Sequence, residues 1–300
     1  MRAKPWGVLA LAMIVSCVSL HGSEHRSNAT PKKRVLFAVW MSLGGGGQPS
    51  SLIIDPVVIL DNGKLEKLPD LNSQTRRSET NSEDFEKTYF QPGQKYSLFF
   101  GGAELGSVTV ERVIGLSCAS ETATVKTSIP VPNGQDALAT SGTTGLRLHP
   151  NMRRVASAQQ RAAFVEVAGR FLARKGIAAI SPRALSVENL RVTALGAQRP
   201  DAMIGSVTYK GKTANHNLFL VIESSGADWR TIIASYHENK DVEDGVDKVQ
   251  ENFVDQLDLD ADGTDEIVTM SGYYESWDYA IYKEEGGTWK KVYTGGGGGC

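Results

Sequence analysis

Apolar residues in this chain fall mostly in short runs of strand length, set apart by glycine, asparagine and proline. From residue 33 onward, "RVLFAVWMS" and "DPVVIL" are β-branched and aromatic runs of this kind. Asp61-Asn62-Gly63 follows the second and predicts a hairpin turn, because Asn-Gly accepts positive φ. "SEDFEKTYF" has the spacing of a short helix before Pro92-Gly93. "QKYSLFF" and "GSVTVERVI" predict two strands joined at "GGAEL", and "TATVKTSI" one more. Residues 33–129 are therefore expected to form a β-rich N-terminal region. Residues 130–150, which include "PVPNGQDALATSGTTG", have the composition of a linker.

The pattern changes at Ser157, where Gln160 three positions later completes a capping box. Phe164, Val165, Ala168, Phe171 and Leu172 then recur on one helical face, and Gly176 supplies the stop. Seven strand-like runs follow: "NLRVTALG", "AMIGSVTYKG", "HNLFLVIESS", "WRTIIASYHE", "EIVTMSGYY", "DYAIYKE" and "TWKKVYTG". Residues 151–300 thus predict one helix packed on an antiparallel meander, and the whole chain an α+β fold that is mostly β. No internal repeat is evident, which argues against a full propeller.

The first residues belong to a different pattern. Arg2 and Lys4 precede a short apolar run, Trp6 to Val15, too short for the roughly 20 residues of a membrane crossing. It predicts an export signal over residues 1–16. Ile14-Val15-Ser16-Cys17 resembles a bacterial lipobox, which makes Cys17 the expected lipidation site; ordinary cleavage after "CVS" is the alternative. Residues 17–32 are polar, as a tether would be. With Cys17 assigned to lipid or lost with the signal, Cys118 and Cys300 are the two thiols left, and an oxidising compartment predicts one disulfide between them.

Charge alters this picture only locally. The formal net charge of −2 makes no case for nucleic acid. Residues 147–199, however, hold ten Arg/Lys against two Glu, and residues 237–266 hold twelve Asp/Glu against two Lys. Two blocks of opposite sign are expected to face each other or solvent.

The acidic block contains the one stretch with specific chemistry, "DLDADGTDEIV". Asp258, Asp260, Asp262, Gly263 and Glu266 stand at loop positions 1, 3, 5, 6 and 9. Calcium takes six to eight oxygens, and carboxylates at alternate positions of a tight loop turn toward one point. Thr264 would contribute its carbonyl at position 7. Position 12 is Thr269, so the bidentate glutamate of an EF-hand is missing. The short form resembles the calcium loop of FG-GAP/VCBS repeats of integrin-type propellers, over roughly residues 253–282 and one repeat only. That resemblance implies a structural calcium held between consecutive strands; an acidic hairpin turn is the bland alternative.

Beside the loop lie Tyr274, Trp277, Tyr279 and Trp289, a candidate platform for stacking on a sugar ring, although alternation along one strand also fits core packing. "SVTYKGKT" and "GGAELG" lack the spacing and the strand-to-helix context of nucleotide loops. His149, His216 and His237 have no zinc-ligand spacing, and there is no G-x-S-x-G elbow. "GGGGQ" and the terminal "GGGGGC" read as flexible segments. The expectation is a lipid-anchored, non-enzymatic protein of the bacterial cell envelope, periplasmic or surface-exposed, with a structural calcium. It would bind or scaffold an envelope protein or polysaccharide, and its membrane contact would run only through the lipid. A carbohydrate-binding module using the C-terminal aromatics is the first alternative, and a hydrolase with unrecognised catalytic residues the second.

Overall fold

The computed structural model describes residues 33–42, 51–71, 76–114, 121–132, 135–142, 146–150, 153–177, 180–226, 228–240 and 249–299. The export signal, the Cys17 lipobox, the tether, Cys118, Cys300 and the "GGGGQ" stretch all lie outside them.

The N-terminal strands curl into a closed barrel. They are β1 (Arg34–Ser42), β2 (Ser51–Asp61), β3 (Lys64–Glu66), β4 (Lys95–Phe100), β5 (Ala103–Ile114), β6 (Thr122–Thr127) and β7 (Ala137–Thr140). Their order is β1-β7-β4-β5-β6-β2-β3, and β1 also pairs with β2, so six antiparallel strands form a ring with β3 appended. Closure removes the unpaired edges that a sheet otherwise exposes. Helix α1 (Arg76–Tyr89) begins six residues ahead of the apolar pattern that announced it. Its Ser78, Ser82, Phe85 and Tyr89 recur at helical spacing and are buried. Phe85 and Tyr89, with the following Phe90, share one core with Phe37, Tyr96 and Val108 of the barrel. The Asn62-Gly63 turn forms as expected, with φ of 50° and 78°.

Alternation explains why β1 reads as an unbroken apolar run. Val35, Phe37 and Val39 point into the barrel, whereas Leu36 and Ala38 point out into a second core. A strand covered on both faces carries no polar face.

What covers the outside is the C-terminal sheet: β13 (Gln250–Leu257), β14 (Glu266–Gly272), β15 (Ser276–Glu285) and β16 (Thr288–Gly299), in that order. Val268, Tyr279 and Ile281 face the barrel, while Ile267, Ala280 and Tyr282 face the other way. On that other side lies a five-stranded sheet, ordered β12-β11-β10-β9-β8. It comprises β8 (Arg154–Val155), β9 (Leu185–Ala194), β10 (Asp201–Lys210), β11 (Asn215–Ser225) and β12 (Asp228–Asn239). Helix α2 (Ala158–Arg174) covers its far face through Phe164, Ala168 and Leu172. Both hydrogen bonds of the Ser157/Gln160 capping box are present, and Gly176 ends the helix at φ 83°. The layers run α2, five-stranded sheet, four-stranded sheet, barrel.

The mostly-β, antiparallel character matches expectation, but four readings need correction. Residues 130–150 are not a plain linker, because β7 lies within them and bonds both β1 and β4 in the barrel wall. The barrel and the C-terminal sheet share a core, so residues 33–300 form one compact unit instead of two regions in series. The meander is also two sheets, not one. Strand β13 escaped notice because Glu251, Asp255 and Gln256 are polar and buried.

The glycine tail is likewise a strand, not a flexible lead. Gly298 and Gly299 pair with Trp277 and Ser276. A Cβ on Gly296 would lie 2.7 Å from the carbonyl oxygen of Pro56, and one on Gly297 2.1 Å from that of Trp277. Close approach to the barrel at Gly296 and to β15 at Gly297, together with positive φ at both residues, therefore requires glycine. Gly286 also has positive φ, but a Cβ there meets nothing within 4 Å. Gly286→Ala should cost about 1–2 kcal/mol from left-handed strain alone. Gly297→Ala should cost about 2–5 kcal/mol, since overpacking adds to that strain. Urea unfolding of both variants checks this, and equal losses would mean that the tail does not pack as described.

Candidate functional site

Residues 258–265 connect β13 to β14, and the loop folds around its own carboxylates. Buried Asp258 accepts hydrogen bonds from the backbone N–H groups of Asp262 (3.1 Å) and Gly263 (2.8 Å). Asp262 accepts from the N–H of Thr264 at 2.8 Å, and Glu266 from that of Leu259 at 2.7 Å. Ala261 and Gly263 sit at φ 65° and 96° to make the turn. One carboxylate oxygen each from Asp258, Asp260 and Asp262 then lies within 4.8 Å of the others.

Neighbouring layers hold the loop from both sides. A Cβ on Gly63 of the barrel hairpin would lie 3.3 Å from Cβ of Asp260. A Cβ on Gly196, in the β9–β10 turn, would lie 2.3 Å from the carbonyl oxygen of Gly263. The N–H of Asp265 bonds the carbonyl of Leu195 at 3.2 Å. Arg147 pairs with Asp258 through an isolated bridge.

Sequence reasoning missed the cation inside this cage. Lys283 of β15 bonds Asp260, and its ammonium lies 3.3 Å from Asp262 and 3.5 Å from Glu266. The spacing of the loop gives no sign of it, because Lys283 arrives from the next strand over. Its side chain is 23% exposed, against 3% for Glu266. Burial first, and then the carboxylates of Asp262 and Asp258, push Glu266 up to about 8. Burial also raises Asp258. Oδ1 of Asp260 is buried without a hydrogen-bond partner among the described residues. An all-oxygen donor set with unused acceptor capacity, already drawn around one positive charge, fits a hard cation. The ammonium must leave for a metal to enter.

A second buried network adjoins the loop. His149 Nε2 lies 2.6 Å from Oδ2 of Asp265, and its Nδ1 lies 2.8 Å from the carbonyl oxygen of Pro150. Gln256 donates to Oδ2 of Asp265 at 2.7 Å and to the carbonyl of Ala194 at 2.6 Å. Both imidazole nitrogens face acceptors, an arrangement that the doubly protonated ring satisfies. The hydrogen bond to Asp265 raises the pKa of His149 above its ordinary value. A Cβ on Gly102 would lie 2.3 Å from Nε2, so glycine there closes the pocket over the ring. Both side chains are almost fully buried.

The proposed aromatic platform does not assemble. Tyr279 is buried and donates to Asp55 at 2.7 Å. Trp277 also donates to Asp55 at 2.7 Å, and packs against Trp40 at 6.4 Å between ring centroids. Trp289 packs partly buried on the opposite core, and Tyr274 alone is well exposed, at 63%. The alternation of Tyr279 and Ile281 was the signature of core packing. Trp277 does line, with Tyr293 and the glycine strand, a cleft of about 590 Å³.

No family model matches the chain, and no curated protein or solved structure shows significant similarity to it.

The buried histidine makes a pH prediction. A folded pKa above the unfolded value of about 6.5 gives stability that is complete below that value and is lost as pH rises through the folded pKa. Asp265 and Asp258 both favour the charged ring. His149→Gln should cost about 1–3 kcal/mol at pH 6 and progressively less on the alkaline side. Urea midpoints of wild type and variant, compared across that range, check it; a gap independent of pH would mean that His149 is neutral throughout.

Proposed function

We propose that this protein is exported and lipid-anchored at the bacterial cell envelope, that its 258–266 loop takes a structural calcium ion, and that its body binds or scaffolds an envelope protein or polysaccharide. The observation carrying the metal assignment is the convergence of Asp258, Asp260 and Asp262 within 4.8 Å in a loop pressed between two other layers. Asp258, Asp260, Asp262 and Glu266, with the carbonyl of Thr264, would hold the ion. Bound there, calcium would supply positive charge and rigid coordination. Lys283 is the resident countercharge when the metal is away, so the two cations exclude each other. Export and anchoring rest on the leader, the lipobox-like Ile14 to Cys17 and the polar tether. Catalysis is not part of this reading.

A carbohydrate role keeps one observation in its favour, the placement of Trp277 and Tyr293 on the 590 Å³ cleft. Quenching of tryptophan fluorescence by a neutral oligosaccharide, abolished in Trp277→Leu, would support it.

Extracytoplasmic calcium modules bind at about 10⁻⁴–10⁻³ M, so about 1 mM calcium should stabilise the fold by about 0.4–1.4 kcal/mol. At about 2–4 °C per kcal/mol, the melting temperature should rise by roughly 1–6 °C. Magnesium, which demands a smaller octahedral shell, should do less, and Asp260→Asn should remove most of the shift. Lys283→Met separates a metal cage from a permanent ion pair. The variant should be less stable without calcium, because its carboxylates lose their countercharge, yet show a larger calcium shift than wild type. Destabilisation without calcium rescue would sink the metal assignment.

A further inference from the structure

A second cleft, of about 380 Å³, opens where the end of α2 meets strands β10, β11 and β12, well away in sequence from the acidic loop. Three rings form its wall. Tyr209 stacks on His216 with centroids 5.7 Å apart and planes at 19°, and His216 stacks on Tyr236 at 6.1 Å and 11°. Nδ1 of His216 lies 2.8 Å from the hydroxyl of Tyr236, which fixes the ring's orientation. The histidine is 9% exposed. Its Nε2 has no hydrogen-bond partner among the described residues and faces Gly211, where a Cβ would lie 3.3 Å away.

Charge around this imidazole edge is uneven. Lys175 and Lys212 line the cleft, and neither makes an ion pair among the described residues. The ammonium of Lys175 stands over the rings of Tyr236 and Phe171, at 5.4 and 5.7 Å, a cation–π placement that holds it near the cleft. Glu238 is the one carboxylate of the lining among the described residues. Two ammonium groups against one carboxylate leave a surplus of one positive charge. A ligand that matches has a single carboxylate for the lysines and the imidazole edge. It also has hydroxyl donors for Glu238 and an apolar face to lie along Tyr209.

We propose that this cleft binds an acidic sugar residue, a hexuronate unit of an anionic polysaccharide. Its carboxylate lies between Lys175, Lys212 and Nε2 of His216, and its ring hydroxyls lie toward Glu238. This deepens the polysaccharide branch of the proposed function and is independent of calcium and of the lipid anchor.

The test is titration of the calcium-free, full-length protein with glucuronate, glucose and inorganic phosphate, followed through the NMR resonances of His216. Glucuronate should move them with a dissociation constant of the order of 1 mM. Lys212→Met and Lys175→Met, both at exposed positions, should each weaken binding about tenfold, the loss typical of one charge-assisted contact. Lys64→Met on the barrel hairpin, which removes the same charge elsewhere, should leave it unchanged. Equal binding of glucose would overturn the carboxylate assignment. Equal binding of phosphate would reduce the cleft to charge alone, and silent His216 resonances in wild type would remove the site altogether. Any of these leaves the calcium and anchoring experiments unaffected, so the two readings fail separately.

Discussion

Strands β13, β14 and β15 of the C-terminal sheet are packed on both faces, and that constraint organises the molecule. Barrel residues cover one side and the five-stranded sheet the other. Any polar group that such a sheet carries loses water and must find a partner inside. Asp55 accepts from Trp277 and Tyr279, and Glu251 from Thr269 and Tyr282. Asp255 takes Arg153 at 3.0 Å and the N–H of Gly101 at 3.0 Å. The Glu251 contacts tie strands within the sheet, whereas those of Asp55 and Asp255 join layers.

Arg153 shows how one residue serves several layers. Its guanidinium lies 4.5 Å from the ring of Phe100 in the barrel and 4.7 Å from that of Phe253 in the central sheet. Burial pushes Asp255 up to about 7 against the pull of this arginine. Removing one partner of such a pair strands the other charge, which costs far more than the intact pair contributes. The basic and acidic blocks of the sequence therefore do meet at Arg153 and Asp255. They do not meet everywhere: Arg199 pairs with Glu223 and Glu284, both outside the acidic block.

The acidic loop lies at the end of this same sheet, between the barrel hairpin and the β9–β10 turn. Electrostatic repulsion there is relieved by Lys283 from within the protein. A cation at that point, ammonium or metal, thus bears on the contact of three layers as well as on one turn. The neighbouring His149–Asp265–Gln256 network fixes the following residue of the loop to Ala194 and Pro150. The loop is consequently held by its surroundings as much as by its own turn.

Local chemistry was legible in the sequence. Asn62-Gly63 specified its hairpin, Ser157 and Gln160 their capping box, and the alternate aspartates their convergence, because each depends on residues within a few positions. The unbroken apolar run of β1 even declared that both faces are covered. It did not say by what. Barrel closure pairs Leu36 with Thr140 and Leu98 with Ala139, contacts between distant segments that no local pattern encodes. β13 was hidden because buried Glu251 and Asp255 look like surface residues until their partners are known. The terminal glycines look like slack until Pro56, Val57 and Trp277 are seen to leave room for nothing larger. Lys283 became a cage cation, and Tyr279 a core residue, only through the strands beside them. Periodicity marks which faces are buried, whereas partnership between faces is a long-range property that only the packed chain decides.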